Sequence, residues 1–296
     1  MTVIELIDEV AAQLEAAGLS LSDGFGQGTL SAFDEAAWLV LWRLGLSLDS
    51  SLDDHDSVSK RAVAQEERLQ VATLLEARIT ARKPLAYLTN EAWLQGIPFY
   101  VDERAIIPRS FIAELLVDES IDPWLSEDTH RVLDLCTGNG SLAVLAAMAY
   151  PDVAIDAADI SPDALAVARI NVDKHGLNQR IALVESDGLA ACTGVYDLIL
   201  CNPPYVNAAT MASLPAEFRA EPAIALHGGD DGMDFIRSLF LTAARHMSEN
   251  AVLVLEIGNE SANFERAFRT LQPLWFETSG GPDQVLLLTR QQLLSL

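Results

Sequence analysis

The first 85 residues place apolar side chains at the spacing of amphipathic helices. In the first segment, Met1 to Ala17, these side chains share one helical face, which comprises Val3, Ile4, Ile7, Val10, Ala11 and Leu14. Two further helices are predicted at about 33–46 and 57–81, preceded by a Gly- and Ser-rich loop at 20–31 and a polar turn at 47–56. Residues 1–85 are therefore predicted to form a small helical N-terminal domain, which either selects a partner or substrate or acts as a structural cap.

Residues 86–110 have a different pattern. Two short runs of strand-forming residues, Ala92-Trp93-Leu94 and Phe99-Tyr100-Val101, lie on either side of Gly96. This arrangement predicts a short hairpin that links two domains. A helix is predicted to begin near Phe111.

From His130 onward, short apolar runs alternate with helical segments. The predicted strands lie near 131–136, 153–159, 180–186, 195–201, 251–257, 273–277 and 284–289. The predicted helices lie near 141–150, 162–175, 232–247 and 260–271. The alternation predicts an α/β domain over residues 111–296, with a parallel sheet and helices on both faces.

A glycine loop after the first of these strands, at Val132 to Gly140, forms the first candidate site. Gly138 and Gly140 permit a sharp turn and a close approach by a ligand, and the following helix N-terminus favours a negatively charged group. Asp159 at the end of the next strand is placed to accept both hydroxyls of a ribose. The spacing fits NAD as well as other nucleotides. Asp134 argues against NAD, because dinucleotide-binding strands are usually apolar up to the first glycine.

Asp134, Gly138 and Gly140 together resemble the first motif of class I S-adenosylmethionine-dependent methyltransferases. In that interpretation the glycine loop approaches the methionine part of the cofactor. Asp134 either polarises the loop or meets the cofactor's ammonium group. The alternative is a carboxylate that caps nearby backbone amides.

The second candidate site is Asn202-Pro203-Pro204-Tyr205, which directly follows the apolar strand ending at Cys201. The prolines lack N–H groups and fix their own φ angles, so the loop is stiff and its carbonyls are free to accept hydrogen bonds. The Asn202 side chain adds another acceptor. Such oxygens beside an aromatic ring suit a planar –NH2 group, which has two donors. The alternative is a proline-rich strand exit without chemistry.

Several polar residues are predicted to meet at one edge of the sheet, because the carboxyl ends of parallel strands share an edge. Asp134, Asp159, Asp187 and Asn202 all follow or end predicted strands. Asp187 is placed to meet an adenine amino group, or it caps a loop. Arg109, at the entrance to the second domain, is expected either to reach a carboxylate or carbonyl of a ligand or to form a structural salt bridge.

Composition narrows the choice of partner. The chain has 19 basic and 43 acidic residues and a net charge of −24, which disfavours binding to long DNA. The acidity either attracts a basic protein partner or only provides solubility or reflects a saline habitat. The three cysteines form no Cys-x-x-Cys pair and the five histidines show no ligand spacing, so neither disulfides nor a metal is expected.

Without a membrane-spanning run or a signal-peptide pattern, the expected location is the cytoplasm.

Nearly the whole chain resembles the N(5)-glutamine protein methyltransferases, the PrmB and PrmC (HemK-like) group. The matching motifs occur in order: Pro108-Arg109, the Asp134/Gly138/Gly140 loop, Asp159, Asn202-Pro203-Pro204-Tyr205, Glu221-Pro222, Ala225-Leu226 and Glu256-Ile257-Gly258. Within the group, Pro108-Arg109-Ser110 and Cys136 resemble PrmB, the branch that methylates ribosomal protein L-three. The PrmC branch has a glycine where Cys136 stands. Asn139 and Gly188 depart from the group's usual residues, and Gly188 weakens the adenine assignment of Asp187.

The resemblance implies a Rossmann-like class I methyltransferase domain at 111–296, a hairpin linker at 86–110 and a substrate-recognition domain at 1–85. It also implies S-adenosylmethionine at Asp134, Gly138, Gly140, Asp159, Asp187 and Asn202. The substrate amide is expected to donate to the Asn202 side chain and the Pro203 carbonyl, with Pro204, Tyr205 and Arg109 around it. Other functions left open are methylation of release factors, methylation of adenine in nucleic acid, NAD-dependent oxidoreduction, and non-catalytic assembly of the large ribosomal subunit.

Overall fold

The computed structural model describes residues 1–19, 28–53 and 56–296. Most of the predicted loop at 20–31, part of the predicted turn at 47–56, and His55 lie outside the described residues. The chain forms two compact units, one made of Met1–Glu91 with Leu214–Ala220, the other of Ala92–Ser213 with Glu221–Leu296. The boundary after Glu91 falls within the predicted linker 86–110. None of the helices in the described ranges is long and apolar enough to cross a membrane.

Four α-helices lie in the described part of the N-terminal unit. They are α1 (Val3–Ala16), α2 (Ala32–Arg43), α3 (Gln65–Ala81) and α4 (Leu85–Thr89). Four residues of the apolar face predicted for α1 are buried, namely Val3, Ile7, Val10 and Leu14, and they pack with α2 and α3 around a common core. Ile4 and Ala11 are only half-buried, whereas Leu6, which was not predicted, is buried. A Thr2–Glu5 capping box begins α1, so two amides at the helix start have partners.

Helix α3 begins later than predicted. The sequence pattern placed its start near Ser57, but the helix starts at Gln65. The preceding residues instead accept backbone hydrogen bonds from the start of α1, with Val3 donating to Arg61 and Ile4 to Ser59. The first amides of α1 have no partners within that helix, so they bond to the carbonyls of Ser59 and Arg61. These two residues are thereby held outside α3, which begins after them.

A fully buried group of charges lies in the same unit. Arg78 on α3 has no exposed surface and donates to Glu35 on α2 at 2.6 Å and to Glu217 at 3.0 Å. Arg82 donates to the same Glu217 carboxylate at 2.6 Å. Glu217 belongs to the segment Leu214–Ala220, which follows the Asn-Pro-Pro-Tyr loop in the chain. The segment is therefore held in the N-terminal unit by ion pairs that carry charge-assisted hydrogen bonds.

The second unit begins with the predicted hairpin. Strands β1 (Ala92–Leu94) and β2 (Ile97–Phe99) pair antiparallel. Gln95 and Gly96 between them both have positive φ, at 50° and 74°, as in the tight turns that suit the twist of a hairpin. Helix α5 (Ile112–Val117) then starts close to the predicted position.

The remainder of this unit is a seven-stranded sheet with helices on both faces. Its strands are β3 (Arg131–Leu135), β4 (Ala154–Asp159), β5 (Ile181–Glu185), β6 (Tyr196–Cys201), β7 (Met247–Glu256), β8 (Leu274–Thr278) and β9 (Gly281–Thr289). Its helices are α6 (Ser141–Ala149), α7 (Pro162–Lys174), α8 (Ala208–Ser213), α9 (Asp234–Phe240), α10 (Ser261–Ala267) and α11 (Arg290–Leu294). The order is β5-β4-β3-β6-β7-β9-β8. Successive strand residues enter opposite cores: Leu198 and Leu200 of β6 pack on one face, and Ile199 and Cys201 on the other.

The prediction of an entirely parallel sheet is wrong at its last strand. Strands β3 to β7 pair in parallel, but β9 lies antiparallel between β7 and β8. Only Ser279 and Gly280 separate β8 from β9, and a link this short can join only antiparallel neighbours.

The helix predicted at 232–247 is also shorter than expected. Helix α9 ends at Phe240, Thr242 departs from helical geometry with a φ of −126°, and a single 3-10 turn follows at Ala243–Arg245. Met247 already belongs to β7, where it pairs with Tyr196 of β6. Sheet pairing therefore replaces the end of the predicted helix.

Candidate active site

The glycine loop between β3 and α6 has left-handed backbone at alternate residues. Cys136, Gly138 and Gly140 have φ angles of 63°, 54° and 81°. A side chain at Gly140 would place its Cβ 3.1 Å from the Cβ of Ala168 on α7, so the loop needs glycine there for conformation and for space. The positive φ of Cys136 is strained for a residue with a Cβ, and such strain is often found at functional sites.

Asp159, at the end of β4, holds this loop. One of its oxygens accepts from the amide of Gly138 at 2.8 Å, and the other accepts from the amide of Ser161 at 2.9 Å. Burial raises the pKa of Asp159, although these amides oppose the shift. The predicted ribose-binding carboxylate and the glycine loop are thus in direct contact.

Asp134 caps helix α6. Its Oδ2 accepts from the Thr137 hydroxyl and from the amide of Ala143, the latter at 2.9 Å. The residue has no exposed surface, and no group among the described residues donates to its Oδ1. The capping role that the sequence left open is therefore present, and one carboxylate oxygen is still available to accept a hydrogen bond.

Burial raises the pKa of Asp134 to about 7. Because this value lies above that of the unfolded chain, the group stabilises the fold at low pH and loses that contribution as pH rises toward 7. Between pH 5 and pH 8 the unfolding free energy of the wild type is expected to fall by about 2–3 kcal/mol relative to Asp134→Asn. Urea unfolding at both pH values without added ligand measures this difference.

The matched control for that measurement is Asp128→Asn, since Asp128 is exposed on a loop. This variant is expected to keep the wild-type dependence on pH. Parallel pH profiles for the wild type and Asp134→Asn would show that Asp134 does not titrate near neutrality.

Asp187 lies just beyond the carboxyl end of β5 and is exposed. It therefore stands at the same sheet edge as Asp159, with which β5 pairs through Glu185. Gly188 beside it has a φ of 53°, so a residue with a side chain would be strained at this position.

The Asn-Pro-Pro-Tyr loop leaves the sheet at the end of β6, next to β3. Cys201, just before Asn202, pairs with Leu135, just before the glycine loop. The two candidate sites therefore occupy neighbouring strand ends. Asn202 is half-buried and Pro203 is buried.

Glycines pack closely against this loop. A Cβ at Gly228 would lie 2.7 Å from the Pro204 carbonyl oxygen, and one at Gly258 would lie 2.5 Å from the Tyr205 ring. Backbone hydrogen bonds fix the loop further, with Val206 donating to Leu226 at 2.8 Å and Gly228 donating to Val206 at 2.9 Å. The glycine-rich stretch that begins at Gly228 was not predicted as part of the site, although its glycine content was a visible signal.

Arg109 forms a paired hydrogen bond with Glu221. Its two terminal nitrogens each lie 2.7 Å from one Glu221 oxygen, the bidentate geometry typical of strong arginine–carboxylate pairs. Glu221 has a fully buried side chain. The structural salt bridge that the sequence left open as a role for Arg109 is thus present. Both terminal nitrogens of its guanidinium group have the Glu221 carboxylate as partner.

Two buried amide side chains that the sequence did not reveal connect the glycine loop to the segment after the hairpin. Asn139 donates to the Ile106 carbonyl at 2.8 Å. Asn171 on α7 accepts from the Tyr100 amide at 2.7 Å and donates to the carbonyls of Tyr100 and Asn139. We call residues 100–111 the entrance segment, since it lies against the glycine loop through these contacts.

The sheet order, the glycine loop and the acidic strand ends define a Rossmann-like class I methyltransferase. The family model for the methyltransferase small domain matches residues 113–231. Among solved structures, the hMettl16 catalytic domain in complex with hairpin 6 of the MAT2A 3'UTR superimposes with a TM-score of 0.51 over 79% of this chain and 85% of that one. At 14% identity this likeness concerns the fold alone.

Relatives of known name match almost the full length. The ribosomal protein uL3 glutamine methyltransferase of Bordetella pertussis is 48% identical over 99% of this chain and 96% of its own. The proteins of the same name from Burkholderia pseudomallei and Neisseria meningitidis are 46% and 45% identical, again over 99% of this chain and over 95% and 94% of their own. The chain belongs to the family of ribosomal protein uL3 glutamine methyltransferases. Membership confirms the predicted family and decides between S-adenosylmethionine and NAD in favour of the methyl donor.

Proposed function

We propose that this protein transfers a methyl group from S-adenosylmethionine to the side-chain amide nitrogen of a glutamine in ribosomal protein uL3. The observation that carries the proposal is the position of Asn202 and Pro203 at the strand end beside the glycine loop. An amide acceptor site next to a nucleotide site is what methylation of a glutamine requires. The near full-length likeness to enzymes named for this reaction supports the choice of substrate.

The residues around the glycine loop fit the proposed cofactor. Gly138 and Gly140 permit the left-handed backbone of the loop, Asp159 at its side suits a ribose, and Asp187 stands at the neighbouring strand end for the adenine. The unpaired buried oxygen of Asp134 is available to a donor such as an ammonium group. When bound, S-adenosylmethionine supplies an electrophilic methyl group on a positively charged sulfur.

Asn202 and Pro203 orient the substrate in this proposal. A glutamine amide nitrogen is a poor nucleophile, because its lone pair is delocalised into the carbonyl. The side-chain oxygen of Asn202 and the carbonyl of Pro203 accept its two N–H groups and direct the nitrogen toward the methyl group. The same oxygens stabilise the positive charge that develops on the nitrogen, and the proton is lost to water after transfer. Catalysis then rests on positioning and electrostatics.

Pro204 and Tyr205 form the wall of the amide pocket in this proposal. The Tyr205 hydroxyl donates to Glu256 at 3.2 Å, so the ring is held in one orientation and its face is available to a cation. Arg109 has a structural role in this proposal. Its pair with Glu221 holds the entrance segment against the chain that follows the Asn-Pro-Pro-Tyr loop, and its charge does not contact the substrate.

The N-terminal unit is proposed to recognise the substrate protein. Its first helix has acidic side chains outside the buried face, and the whole chain carries a net charge of −24. Ribosomal proteins that bind RNA are typically basic, so this charge favours their association and disfavours nucleic acid as substrate. The proposed location is the cytoplasm, where ribosomal proteins are synthesised.

The test is transfer of labelled methyl from S-adenosylmethionine to purified uL3 and, side by side, to a purified release factor. Label on a glutamine of uL3 alone, identified by peptide mass spectrometry, is the expected outcome. Label on the release factor alone would assign the protein to the other branch. If neither protein is labelled, the proposed reaction is wrong, and methylation of adenine or a non-catalytic role in ribosome assembly becomes the better explanation.

A further inference from the structure

Glu256 is a buried carboxylate beside the Asn-Pro-Pro-Tyr loop. It is the last residue of β7, and only 1% of its surface is exposed. Leu255 pairs with Cys201 in the parallel β6–β7 pair, so the next residues, Glu256 and Asn202, lie side by side at the same edge of the sheet. A carboxylate is costly to bury unless hydrogen bonds compensate its lost hydration.

The two oxygens of Glu256 serve two different parts of the chain. Oε2 accepts from the Ser110 hydroxyl at 2.6 Å and from the Phe111 amide at 2.9 Å, both at the end of the entrance segment. Oε1 accepts from the Tyr205 hydroxyl at 3.2 Å. A single side chain therefore links the entrance segment to the Asn-Pro-Pro-Tyr loop.

Tyr205 has little freedom once this bond is made. On one side its hydroxyl is held by Glu256, and on the other its ring lies against Gly258, where an added Cβ would be 2.5 Å away. Burial and the nearby Glu256 carboxylate raise the pKa of Tyr205, which keeps the hydroxyl protonated and able to donate. The two prolines that precede Tyr205 have fixed φ angles, so the orientation of Tyr205 is transmitted to the Pro203 carbonyl.

We propose that Glu256 is a positioning residue for methyl transfer, which acts through Tyr205 to place the amide acceptors Asn202 and Pro203. The proposal rests on the function proposed above, since it concerns the pocket for the glutamine amide. It assigns Glu256 no contact with either ligand. Its effect is expected on the step that depends on alignment of the amide nitrogen and not on cofactor binding.

The test is a double-mutant cycle of Glu256→Gln and Tyr205→Phe, with uL3 and S-adenosylmethionine as substrates of the full-length enzyme. Each single variant is expected to lower kcat about 10- to 100-fold, the range for a misplacement of about 1 Å at a reacting centre. The KM for S-adenosylmethionine is expected to stay within twofold of the wild type. The double variant is expected to be no slower than the slower single variant, because both changes break the same link.

The matched control is the carboxylate–tyrosine pair at the opposite end of β6. There the Tyr196 hydroxyl donates to Asp156 at 2.7 Å, and neither residue belongs to the site. Asp156→Asn and Tyr196→Phe are expected to leave kcat unchanged even where they lower stability, which separates positioning from a general loss of fold.

The outcomes distinguish the two proposals. A wild type without activity on uL3 would refute the proposed function and this inference with it. If the wild type is active, three results for the variants would refute this inference and leave the proposed function intact. The variants could keep the wild-type kcat, or their losses in kcat could be additive in the double variant. The third result is a KM for S-adenosylmethionine that rises in proportion to the loss in kcat. Should Glu256→Gln fail to fold, Tyr205→Phe alone decides, because an unchanged kcat in that variant contradicts the proposed link.

Discussion

Replacing Asn202 with alanine is expected to lower the kcat of methyl transfer to uL3 by about 100-fold. The reason is the loss of one of two oxygens that are proposed to orient the amide nitrogen and stabilise its developing charge. The Pro203 carbonyl belongs to the backbone and remains, so some activity should persist. Initial rates with labelled S-adenosylmethionine at saturating uL3 measure the effect.

Binding of S-adenosylmethionine provides the internal comparison for this variant. Calorimetry is expected to show a much smaller effect on cofactor affinity than on kcat, because the glycine loop and Asp159 are intact and Asn202 is only one of the residues expected at the cofactor. Asn263→Ala is the matched control, because Asn263 lies on α10 and bonds to Glu260 and Arg266 instead of the site. An Asn202→Ala enzyme with wild-type kcat would contradict the assigned role, and full restoration of cellular function by it would support a non-catalytic role.

The second large effect concerns stability. Arg78→Ala is expected to lower the unfolding free energy by about 3–5 kcal/mol, the usual cost of removing one partner from a buried ion pair. The reason is that Glu35 and Glu217 are themselves buried, and Arg78 donates to both. Urea unfolding followed by tryptophan fluorescence, to which Trp38 and Trp42 on α2 contribute, measures the loss.

A surface pair in the same unit provides the control for that effect. Arg61 and Glu67 also form a salt bridge, but their side chains are 36% and 26% exposed. Arg61→Ala is therefore expected to cost less than about 1 kcal/mol. Equal losses in the two variants would mean that burial contributes little to the Arg78 cluster.

Local patterns in the sequence were sufficient to place the candidate site residues at one edge of the sheet. The strand, glycine loop and Asp159 were identifiable because each depends on the character of neighbouring residues, and the prolines after Asn202 mark the end of β6 unambiguously. Arg109 could be placed but not assigned, because its partner Glu221 lies 112 residues later in the chain. The link from Ser110 to Glu256 spans 146 residues, and periodicity carries no information about such pairings.

Periodicity also fails to give the direction of β9. Nothing in the apolar run of β9 distinguishes an antiparallel strand from a parallel one, since both are buried on two faces. The direction follows from the short link to β8. Arg78, by contrast, gave a signal that was missed, because a charged residue in register with buried Val71 and Leu75 on α3 requires a buried counter-charge.

The separate segment Leu214–Ala220 has a consequence for how this protein can be divided or recombined. The N-terminal unit is built from two stretches of chain that are far apart in the gene, and only together do they supply Arg78 with both of its carboxylates. A chimera that exchanges residues 1–91 with those of a relative therefore has to carry the matching 214–220 as well. A fragment that starts at Ala92 would leave Glu217 without Arg78 and Arg82. The two units are therefore not expected to be exchanged between proteins as independent modules.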